Sequence, residues 1–339
     1  MNKVLVTGAA GFIGFHTVNK LIEGGFEVVG LDNINDYYSP QLKYDRLKEA
    51  GIEVEKIKWY QSITSTKTVN YRFVRMSLED KQQLFSLFQR ENFDYVINLA
   101  AQAGVRYSIE NPDVYIQSNI VGFHYILEAC RNFPVLHLVH ASSSSVYGAN
   151  AKIPFSEEDK VDAPVSLYAA TKKSNELMAH AYSYLYQIPI TCLRFFTVYG
   201  PWGRPDMAPM LFAKAISEGD PINVFNNGIM ERDFTYVGDI VNGIFGAVNA
   251  IPEENPKYRV LNIGNGSPIN LMDFIQEIEI NLGKEAIKNY LPMQKGDVPR
   301  TWASQNNLER IANYKPEISL KQGIRKFIDW YTKYDFKKV

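Results

Sequence analysis

The sequence has little cysteine and almost no net charge. Its 339 residues include 2 cysteines, and 36 basic side chains against 37 acidic ones give a formal net charge of −1. Cys130 and Cys192 lie in apolar segments rather than at paired spacings, which predicts buried free thiols in a reducing cytoplasm. The balanced charge predicts no nucleic-acid partner, because counterion release on binding requires a strong basic excess.

Long apolar runs are also lacking. The most apolar stretches, such as Tyr95 to Val105, are shorter than the ~18 to 20 residues that cross a bilayer. The first residues contain no signal-length apolar core, so we expect neither export nor a membrane partner. The 5 histidines lie in helical or strand patterns without clustered carboxylates or cysteines. We therefore expect no metal site.

Short β-branched runs alternate with longer helical patterns over the first half of the chain. The runs are apolar along nearly their whole length, as in strands buried on both faces. The alternation predicts an α/β fold with a Rossmann-type doubly wound parallel sheet. The predicted strands are Lys3 to Thr7, Glu27 to Leu31, Arg72 to Arg75, Tyr95 to Leu99, Leu136 to Ala141 and Ile190 to Phe195. The predicted helices are Gly11 to Gly24, Asp80 to Glu91, Pro112 to Asn132 and Ser166 to Gln187.

Loops rich in glycine and proline predominate after Phe196, which is typical of a ligand-binding surface added to a cofactor scaffold. We predict a cofactor-binding domain of residues 1–196 plus about 237–262. A smaller mixed α/β substrate-binding domain would comprise residues 197–236 and 263–339. The insert between Asp32 and Tyr71 is expected to be a surface excursion with a mobile loop. The run from Lys333 to Val339 is expected to be a solvated tail.

A glycine-rich turn joins the first predicted strand to the first helix. At Gly8, Gly11 and Gly14 the backbone can approach a pyrophosphate, which the amides at the helix start would stabilise. The second strand ends in Asp32, at the distance expected for a carboxylate that holds an adenosine ribose. No arginine or lysine follows before Lys43, so nothing obvious would receive a 2′-phosphate. The pattern predicts an NAD site; the alternative is that the glycines serve helix–sheet packing alone.

Tyr168 and Lys172 are four residues apart on a predicted helix and therefore share a face. A neighbouring ammonium favours the phenolate, so the pair can provide a general base near neutral pH. The same Tyr-x-x-x-Lys spacing begins at Tyr44 and at Tyr334, but these lie in the insert and in the tail. Only Tyr168 opens a helix that follows a buried strand with hydroxyl groups at its end.

Those hydroxyl groups belong to the run Ser142 to Ser145, directly after the predicted strand Leu136 to Ala141. The carboxyl ends of strands are where open α/β sheets bind ligands. A serine-rich turn without a function is the alternative for any single serine. We interpret the serine run, taken together with Tyr168 and Lys172, as part of a catalytic site.

The Gly-x-x-Gly-x-x-Gly spacing and Asn98-Leu99-Ala100-Ala101 resemble the extended short-chain dehydrogenase/reductase superfamily, over almost the whole chain. The resemblance implies that Tyr168 is the base, assisted by Lys172, and that Ser143 hydrogen-bonds the reacting sugar hydroxyl. Two departures are Ser77, where relatives usually have an Asp that meets the adenine, and Ala103, where galactose epimerases have a lysine. The implied cofactor-binding residues are Gly8, Gly11, Phe12, Ile13, Gly14, Asp32, Asn33, Ser77, Leu99, Ala100, Ala101, Asn119, Tyr168, Lys172 and Phe195.

Within that superfamily, the segments Gln102 to Pro112 and Arg194 to Met207 resemble those of UDP-glucuronate 4-epimerases. The resemblance implies interconversion of UDP-glucuronate and UDP-galacturonate through a transient 4-keto sugar, with tightly bound NAD. For Arg204, contact with the substrate carboxylate and a solvated loop position are equally compatible with the sequence. The implied substrate-binding residues are Ser143, Ser144, Ser145, Thr197, Arg204, Val224, Arg232 and Asp297.

Other functions stay open from the sequence. Decarboxylation to UDP-xylose is disfavoured, because Ser144 and Ser145 carry no carboxyl group. A 4-epimerase of neutral or N-acetylated UDP-hexoses is compatible with Thr301, which is small where some relatives have a tyrosine. A catalytically silent NAD-binding regulator would have no need of the base and its partners. The family resemblance also implies a homodimer through the helices Pro112 to Asn132 and Ser166 to Gln187.

Overall fold

Short, mostly apolar strands form four sheets in the computed structural model, which describes residues 1–293, 299–334 and 336. Valine and isoleucine are common in the longer strands, because branched side chains pack well on a pleated surface. In chain order the strands are β1 (Lys3–Thr7), β2 (Glu27–Asp32), β3 (Ser62–Thr64), β4 (Tyr71–Arg75), β5 (Tyr95–Asn98), β6 (His137–Ser143), β7 (Ile190–Phe195), β8 (Thr197–Tyr199), β9 (Pro221–Phe225), β10 (Glu231–Arg232), β11 (Phe234–Tyr236), β12 (Tyr258–Ile263), β13 (Ile269–Asn270), β14 (Ile287–Leu291) and β15 (Arg300–Thr301).

The largest sheet has the strand order β12-β7-β6-β5-β1-β2-β4-β3. Neighbouring strands are parallel except at the edge, where β3 runs antiparallel to β4. The chain first adds strands on one side of β1 and then returns to add β5, β6 and β7 on the other side. This is the predicted Rossmann-type doubly wound sheet, and ligands of such sheets bind where the strand order reverses. Every predicted strand is present, whereas β3 and β12 were not predicted.

Helices cover both faces of this sheet. Ser166 caps the longest of them, because its Oγ accepts the Ala169 N–H at 3.1 Å. In chain order the helices are α1 (Phe12–Glu23), α2 (Gln41–Glu49), α3 (Lys81–Glu91), α4 (Tyr107–Glu110), α5 (Pro112–Tyr115), α6 (Gly122–Asn132), α7 (Leu167–Tyr186), α8 (Ala208–Glu218), α9 (Val237–Asn249), α10 (Leu271–Leu282), α11 (Asn306–Ala312) and α12 (Leu320–Tyr331). A π-helical segment (Ile116–Val121) joins α5 to α6.

The apolar core has one layer on each face of the large sheet. On one face α1 and α9 contribute Phe15 and Ile240, and on the other face α3 and α6 contribute Leu84 and Phe123. Burial of a leucine- or phenylalanine-sized side chain stabilises by about 1.5–3 kcal/mol. The two layers therefore hold the strand ends in fixed relative positions. The thiols of the two cysteines are free and buried, as predicted.

A separate core lies among the short sheets of the later residues. Strand β8 pairs with β11, β9 with β14, and β10 with β13 and β15. Helices α8, α10 and α12 cover these strands and bury Phe212, Phe274 and Phe327. Among the described residues, no helix is long and apolar enough to cross a membrane.

Two expectations about surface segments are wrong. The insert after β2 is not a surface excursion throughout, because α2 buries Lys43 and Arg46, which are 5% and 0% exposed. The tail is not simply solvated, since the rings of Tyr334 and Phe336 lie 5.3 and 6.0 Å from that of Trp330. In both segments the charged local pattern predicted exposure to solvent. Contacts with distant residues bury Arg46, and Tyr334 is partly buried against the distant Trp202 ring, at 5.3 Å between ring centroids.

Candidate active site

A cavity of about 500 Å³ opens along the carboxyl ends of the central strands of the large sheet. Its volume is in the range of ligand pockets in proteins. The glycine turn after β1 lines one part, and Arg232 and Thr301 from the small sheets line another. The cavity therefore joins the strand-order reversal to the later residues, as a site for a cofactor and a second ligand requires.

The turn between β1 and α1 is as tight as a pyrophosphate-binding loop requires. Gly8 has a φ of +71°, and the Gly11 N–H donates to its carbonyl oxygen at 2.9 Å. A Cβ on Gly14 would lie 2.0 Å from that oxygen, so only glycine fits there. Phe12 and Ile13, at the start of α1, line the cavity. The amides of the first helical turn thus lie beside a position suited to an anion.

Asp32 ends β2 with its carboxylate held by the backbone. The N–H of Ala10 donates to Oδ2 at 3.1 Å, and that of Ile34 donates to Oδ1 at 2.8 Å. Each carboxylate oxygen can accept a second hydrogen bond, so two neighbouring hydroxyl groups of a ribose fit beside it. The adjacent Asn33 also lines the cavity, and its amide donates to Ser77 Oγ at 3.4 Å. The glycine turn and this fixed carboxylate together fit NAD.

Tyr168 and Lys172 both line the cavity from the first turns of α7. The ammonium of Lys172 donates to the Ala141 carbonyl oxygen of β6 at 2.8 Å and lies 6.0 Å from the centroid of the Tyr168 ring. The predicted pair is therefore assembled, with the ammonium fixed by the strand that ends in the serine run.

The pKa values of this pair depend on burial. Burial raises the pKa of Tyr168 above its ordinary value, while the Ser143 hydroxyl and the Arg204 charge act in the opposite direction. Burial also lowers the pKa of Lys172 to about 8. A further positive charge in the cavity, such as an oxidised nicotinamide ring, would lower the Tyr168 pKa. Such a cation would therefore favour ionisation of the Tyr168 phenol.

The serine run lies at the end of β6 and lines the cavity. Ser142 donates to Glu176 Oε1 at 2.6 Å, and Ser143 Oγ accepts the Ser145 N–H at 3.2 Å. The buried Ser145 hydroxyl has no hydrogen-bond partner among the described residues. Leaving a buried hydroxyl unpaired costs about 1–3 kcal/mol. Ser145 is therefore a candidate donor to a ligand.

Asn119 supports the cavity wall from the π-helical segment. Its Oδ1 accepts the Gln102 N–H at 2.8 Å, and its Nδ2 donates to Thr171 Oγ1 at 3.0 Å. These two hydrogen bonds link the wall residue Gln102 to Thr171 of α7, which directly precedes Lys172. Interruptions of this kind in an α-helix are frequent at functional sites.

Arg204 is not a solvated loop arginine. Its side chain is 20% exposed and lines the cavity. Its Nε and Nη2 donate to the two carboxylate oxygens of Asp206 at 3.0 and 2.5 Å. The Tyr37 hydroxyl donates to the same carboxylate at 3.1 Å, and the guanidinium lies 5.6 Å from the Tyr37 ring centroid. Two partners thus fix this guanidinium at the cavity wall.

Most predicted site residues meet in this one cavity. Ser77 and Asn119 contact its wall residues instead, and the Val224 side chain is buried in the core of the small sheets. Asp297 lies outside the described residues. The predicted residues that line the cavity are Gly8, Gly11, Phe12, Ile13, Gly14, Asp32, Asn33, Leu99, Ala100, Ala101, Ser143, Ser144, Ser145, Tyr168, Lys172, Phe195, Thr197, Arg204 and Arg232.

Sequence reasoning missed the contribution of the insert to the cavity. Tyr37, Tyr38 and Lys43 all line it. The Lys43 ammonium donates to the Asn35 carbonyl oxygen at 2.8 Å and to its side-chain oxygen at 2.5 Å. Their position in the sequence could have identified them, because they follow closely on the strand end that carries Asp32.

The chain belongs to the NAD dependent epimerase/dehydratase family, whose model matches residues 4–264. The matched range contains the glycine turn, Asp32, the serine run and the Tyr168–Lys172 pair. The protein is therefore an NAD-dependent enzyme of the epimerase type, as predicted.

Similar proteins cover nearly the whole chain. The sequence is 53% identical to Protein CapI of Staphylococcus aureus, over 99% of this chain and 100% of that one. It is 44% identical to a probable UDP-glucuronate 4-epimerase of Rhizobium meliloti, over 97% of this chain and 96% of that one. The crystal structure of a UDP-glucuronic acid 4-epimerase from Bacillus cereus, in complex with UDP-glucuronic acid and NAD, is similar with a TM-score of 0.86. It is 34% identical, and the match covers 98% of this chain and 99% of that one.

Proposed function

We propose that this chain is a UDP-glucuronate 4-epimerase, which interconverts UDP-glucuronate and UDP-galacturonate with tightly bound NAD. The observation that carries the proposal is the run Ser143 to Ser145, which lies in one cavity with Tyr168 and the glycine turn. Hydroxyl groups without a carboxyl group follow the reactive serine, and they suit a substrate that itself carries a carboxylate. The similar enzymes from Rhizobium meliloti and Bacillus cereus support the same assignment.

The glycine turn, the start of α1 and Asp32 would hold NAD, with amides at its diphosphate and the carboxylate at its adenosine ribose. Bound NAD would supply the hydride chemistry, as acceptor of hydride from C4 of the sugar and as donor to the opposite face, so that the sugar would pass through a transient 4-keto form. The protein regenerates its starting state in each cycle, so the cofactor has no need to leave.

Tyr168 is the proposed general base that removes the proton of the C4 hydroxyl group, and the general acid that returns it. Lys172 stabilises the phenolate from its position on the Ala141 carbonyl oxygen. Ser143 lies in the same cavity wall and interacts with the Tyr168 hydroxyl, so it is suited to align the sugar hydroxyl group. Proton transfer by a positioned side chain contributes roughly 10²–10⁴-fold to such rates.

Ser144, Ser145, Thr197 and Arg204 are proposed to hold the C6 carboxylate. The 4-keto intermediate is a β-keto acid. It loses carbon dioxide when the bond from C5 to the carboxylate carbon is aligned with the π system of the C4 ketone. Several fixed donors would keep the carboxylate out of that alignment. The Ser145 hydroxyl, which has no partner within the described residues, and the fixed Arg204 guanidinium support this role, and both disfavour a neutral hexose as the preferred substrate.

Arg232 is proposed to bind the substrate diphosphate, since the arginine fork matches phosphate oxygens. It lines the cavity and pairs in register with Thr301 of β15. Asp297 and Val224 are proposed for the uridine end. Val224 is 0% exposed in the core of the small sheets, so it would support the uridine site from behind.

The predicted domain division is retained as a proposal. Strand β12 joins the large sheet and α9 packs against α1, which supports the assignment of residues 237–262 to the NAD-binding part. Free buried thiols support a cytoplasmic location.

We also propose a homodimer formed through α7 and the helical segment of residues 112–132. Leu177, Tyr184 and Leu185 are 59%, 61% and 63% exposed on one face of α7, a pattern typical of interaction surfaces. Sedimentation of the wild type and of Leu177→Glu should give a dimer and a weakened dimer. A monomeric wild type would contradict this part of the proposal.

Incubation of the purified protein with UDP-glucuronate, followed by NMR of the products, tests the function. We expect UDP-galacturonate; UDP-xylose with carbon dioxide would indicate a decarboxylase, and no product would contradict both. Tyr168→Phe should remove turnover with the fold retained. Tyr44→Phe, in the other described helix with this spacing, is the matched control and should leave the rate unchanged.

A further inference from the structure

Arg46 on α2 is a buried cation with no acidic partner in the described part of the chain. Its side chain is 0% exposed, and none of its hydrogen-bond partners in the described residues is a carboxylate. Burying a charge is costly unless it is paired or well hydrogen-bonded. A buried guanidinium with neutral partners alone therefore calls for an explanation beyond packing.

The contacts of Arg46 join three segments that are distant in sequence. Nη1 donates to the Ala10 carbonyl oxygen in the glycine turn at 3.0 Å and to the Tyr38 hydroxyl at 2.9 Å. Nη2 and Nε donate to the Trp202 carbonyl oxygen at 2.7 and 3.1 Å, and Nη2 reaches that of Gly203 at 3.4 Å. The planar fork thus holds two consecutive carbonyls of one loop against the cofactor turn.

The residue after these two carbonyls is Arg204. Its guanidinium is fixed by Asp206, which in turn accepts the Tyr37 hydroxyl at 3.1 Å. The insert therefore contacts this loop twice, through Arg46 before Arg204 and through Tyr37 after it. The direction of the Arg204 side chain depends on a backbone that Arg46 fixes.

The backbone at Trp202 needs such support. Its φ is +62°, in the left-handed region that residues with a Cβ rarely adopt. The Trp202 ring packs against Phe15, Trp330 and Tyr334, at 5.6, 5.3 and 5.3 Å between ring centroids. The ring contacts hold the side chain, and Arg46 holds the carbonyl group that the unusual φ displaces.

We propose that Arg46 is a positioning residue for substrate selection: it fixes residues 202 and 203 so that Arg204 is presented to the carboxylate of the sugar. The inference rests on the proposed function, because it assumes a uronate substrate. It assigns a specificity role to a side chain that need not touch the substrate.

Affinity for two nucleotide sugars distinguishes this role from a structural one. Binding of UDP-glucuronate and of UDP-glucose is measured by calorimetry on the NAD-loaded full chain, in a Tyr168→Phe background that prevents turnover. With Arg46→Gln we expect the Kd for UDP-glucuronate to rise about 10-fold or more, the loss of one hydrogen bond to a charged group. The Kd for UDP-glucose, which has no carboxylate, should change less than about 2-fold.

Arg204→Gln and the double variant complete a cycle. If Arg46 acts through Arg204, Arg46→Gln should add no further loss for UDP-glucuronate once Arg204 is replaced. Arg259→Gln is the matched control. Arg259 is partly buried on β12, donates to Thr191 Oγ1 at 3.1 Å and does not line the cavity, so both affinities should be unchanged.

Equal weakening of the binding of both nucleotide sugars would overturn the positioning role. Full additivity of the two losses in the double variant would overturn it as well. Arg46→Lys, which keeps the charge but loses the fork, is the second variant and should show the same selective loss. Failure of both variants to fold would assign Arg46 to stability and would equally overturn the inference. If the parent protein bound UDP-glucuronate no more tightly than UDP-glucose, the proposed function would fail instead.

Discussion

Replacement of Glu176 by glutamine tests the buried ion pair behind the serine run. The Glu176 carboxylate accepts from Arg194 Nε at 2.8 Å, from Nη2 at 2.9 Å and from Ser142 Oγ at 2.6 Å. The two side chains of the pair are 2% and 3% exposed. Glutamine has the same shape and leaves no cavity, so the substitution changes charge and hydrogen bonding alone.

The size of the effect follows from the burial. Removing one partner of a buried ion pair destabilises by about 3–5 kcal/mol, because the other charge stays buried without compensation. Unfolding entropy is roughly 2.1 cal/mol/K per residue, or about 0.7 kcal/mol/K for a chain of 339 residues. Glu176→Gln should therefore lower Tm by about 4–7 °C.

Thermal unfolding with excess NAD, followed by circular dichroism, measures this shift. Glu53→Gln is the control, since Glu53 pairs with Lys56 at the surface at 2.6 Å and should shift Tm by about 1 °C or less. Glu176→Gln with Arg194→Gln should be less destabilising than the single effects added together. A shift as small as that of the control would refute the idea of a desolvated pair.

Two further predictions concern the cofactor and the base. Asp32→Ala should raise the Kd for NAD about 10- to 150-fold, the loss of a hydrogen bond to a charged group; an unchanged affinity by fluorescence titration would contradict the assignment. Burial lowers the pKa of Lys172 to about 8, so its charge is present below that pH and lost above it. We expect kcat to fall above about pH 8, and Lys172→Arg, which stays charged, to remove that fall. A fall at the same pH in both proteins would exclude Lys172 as its cause.

The large sheet could be predicted because its strands are buried on both faces. From Lys3 to Thr7 and from Ile190 to Phe195 the apolar pattern is nearly continuous, and the observed strands have these same bounds. Strand β3 (Ser62–Thr64) was missed because it is an edge strand with a polar, exposed face. Its pairing depends on the neighbouring strand rather than on its own composition.

The chemistry of the site could also be predicted where it lies within one strand–turn–helix unit. Gly8, Asp32, Ser143 and Tyr168 each occupy a position that the local pattern defines. Arg46 could not be found in this way, since its partner Trp202 is 156 residues away. A charged side chain on a charged helix is predicted to be exposed to solvent. Arg46 is buried instead by carbonyl groups of distant residues, and the local sequence pattern carries no information about such contacts.

The net charge of the chain does not predict the charge of the ligand. Lys43, Arg46 and Lys172 are 5%, 0% and 2% exposed around one cavity or its wall, and each donates to neutral oxygen atoms. A charge pair 4 Å apart interacts by about 4 kcal/mol at an effective dielectric constant of 20, against about 1 kcal/mol in water. Buried cations that have no carboxylate partner among the described residues therefore act on a ligand anion more strongly than charged groups that water screens on the surface. A protein of net charge −1 can in this way favour a dinucleotide and a nucleotide sugar, both of which carry a diphosphate.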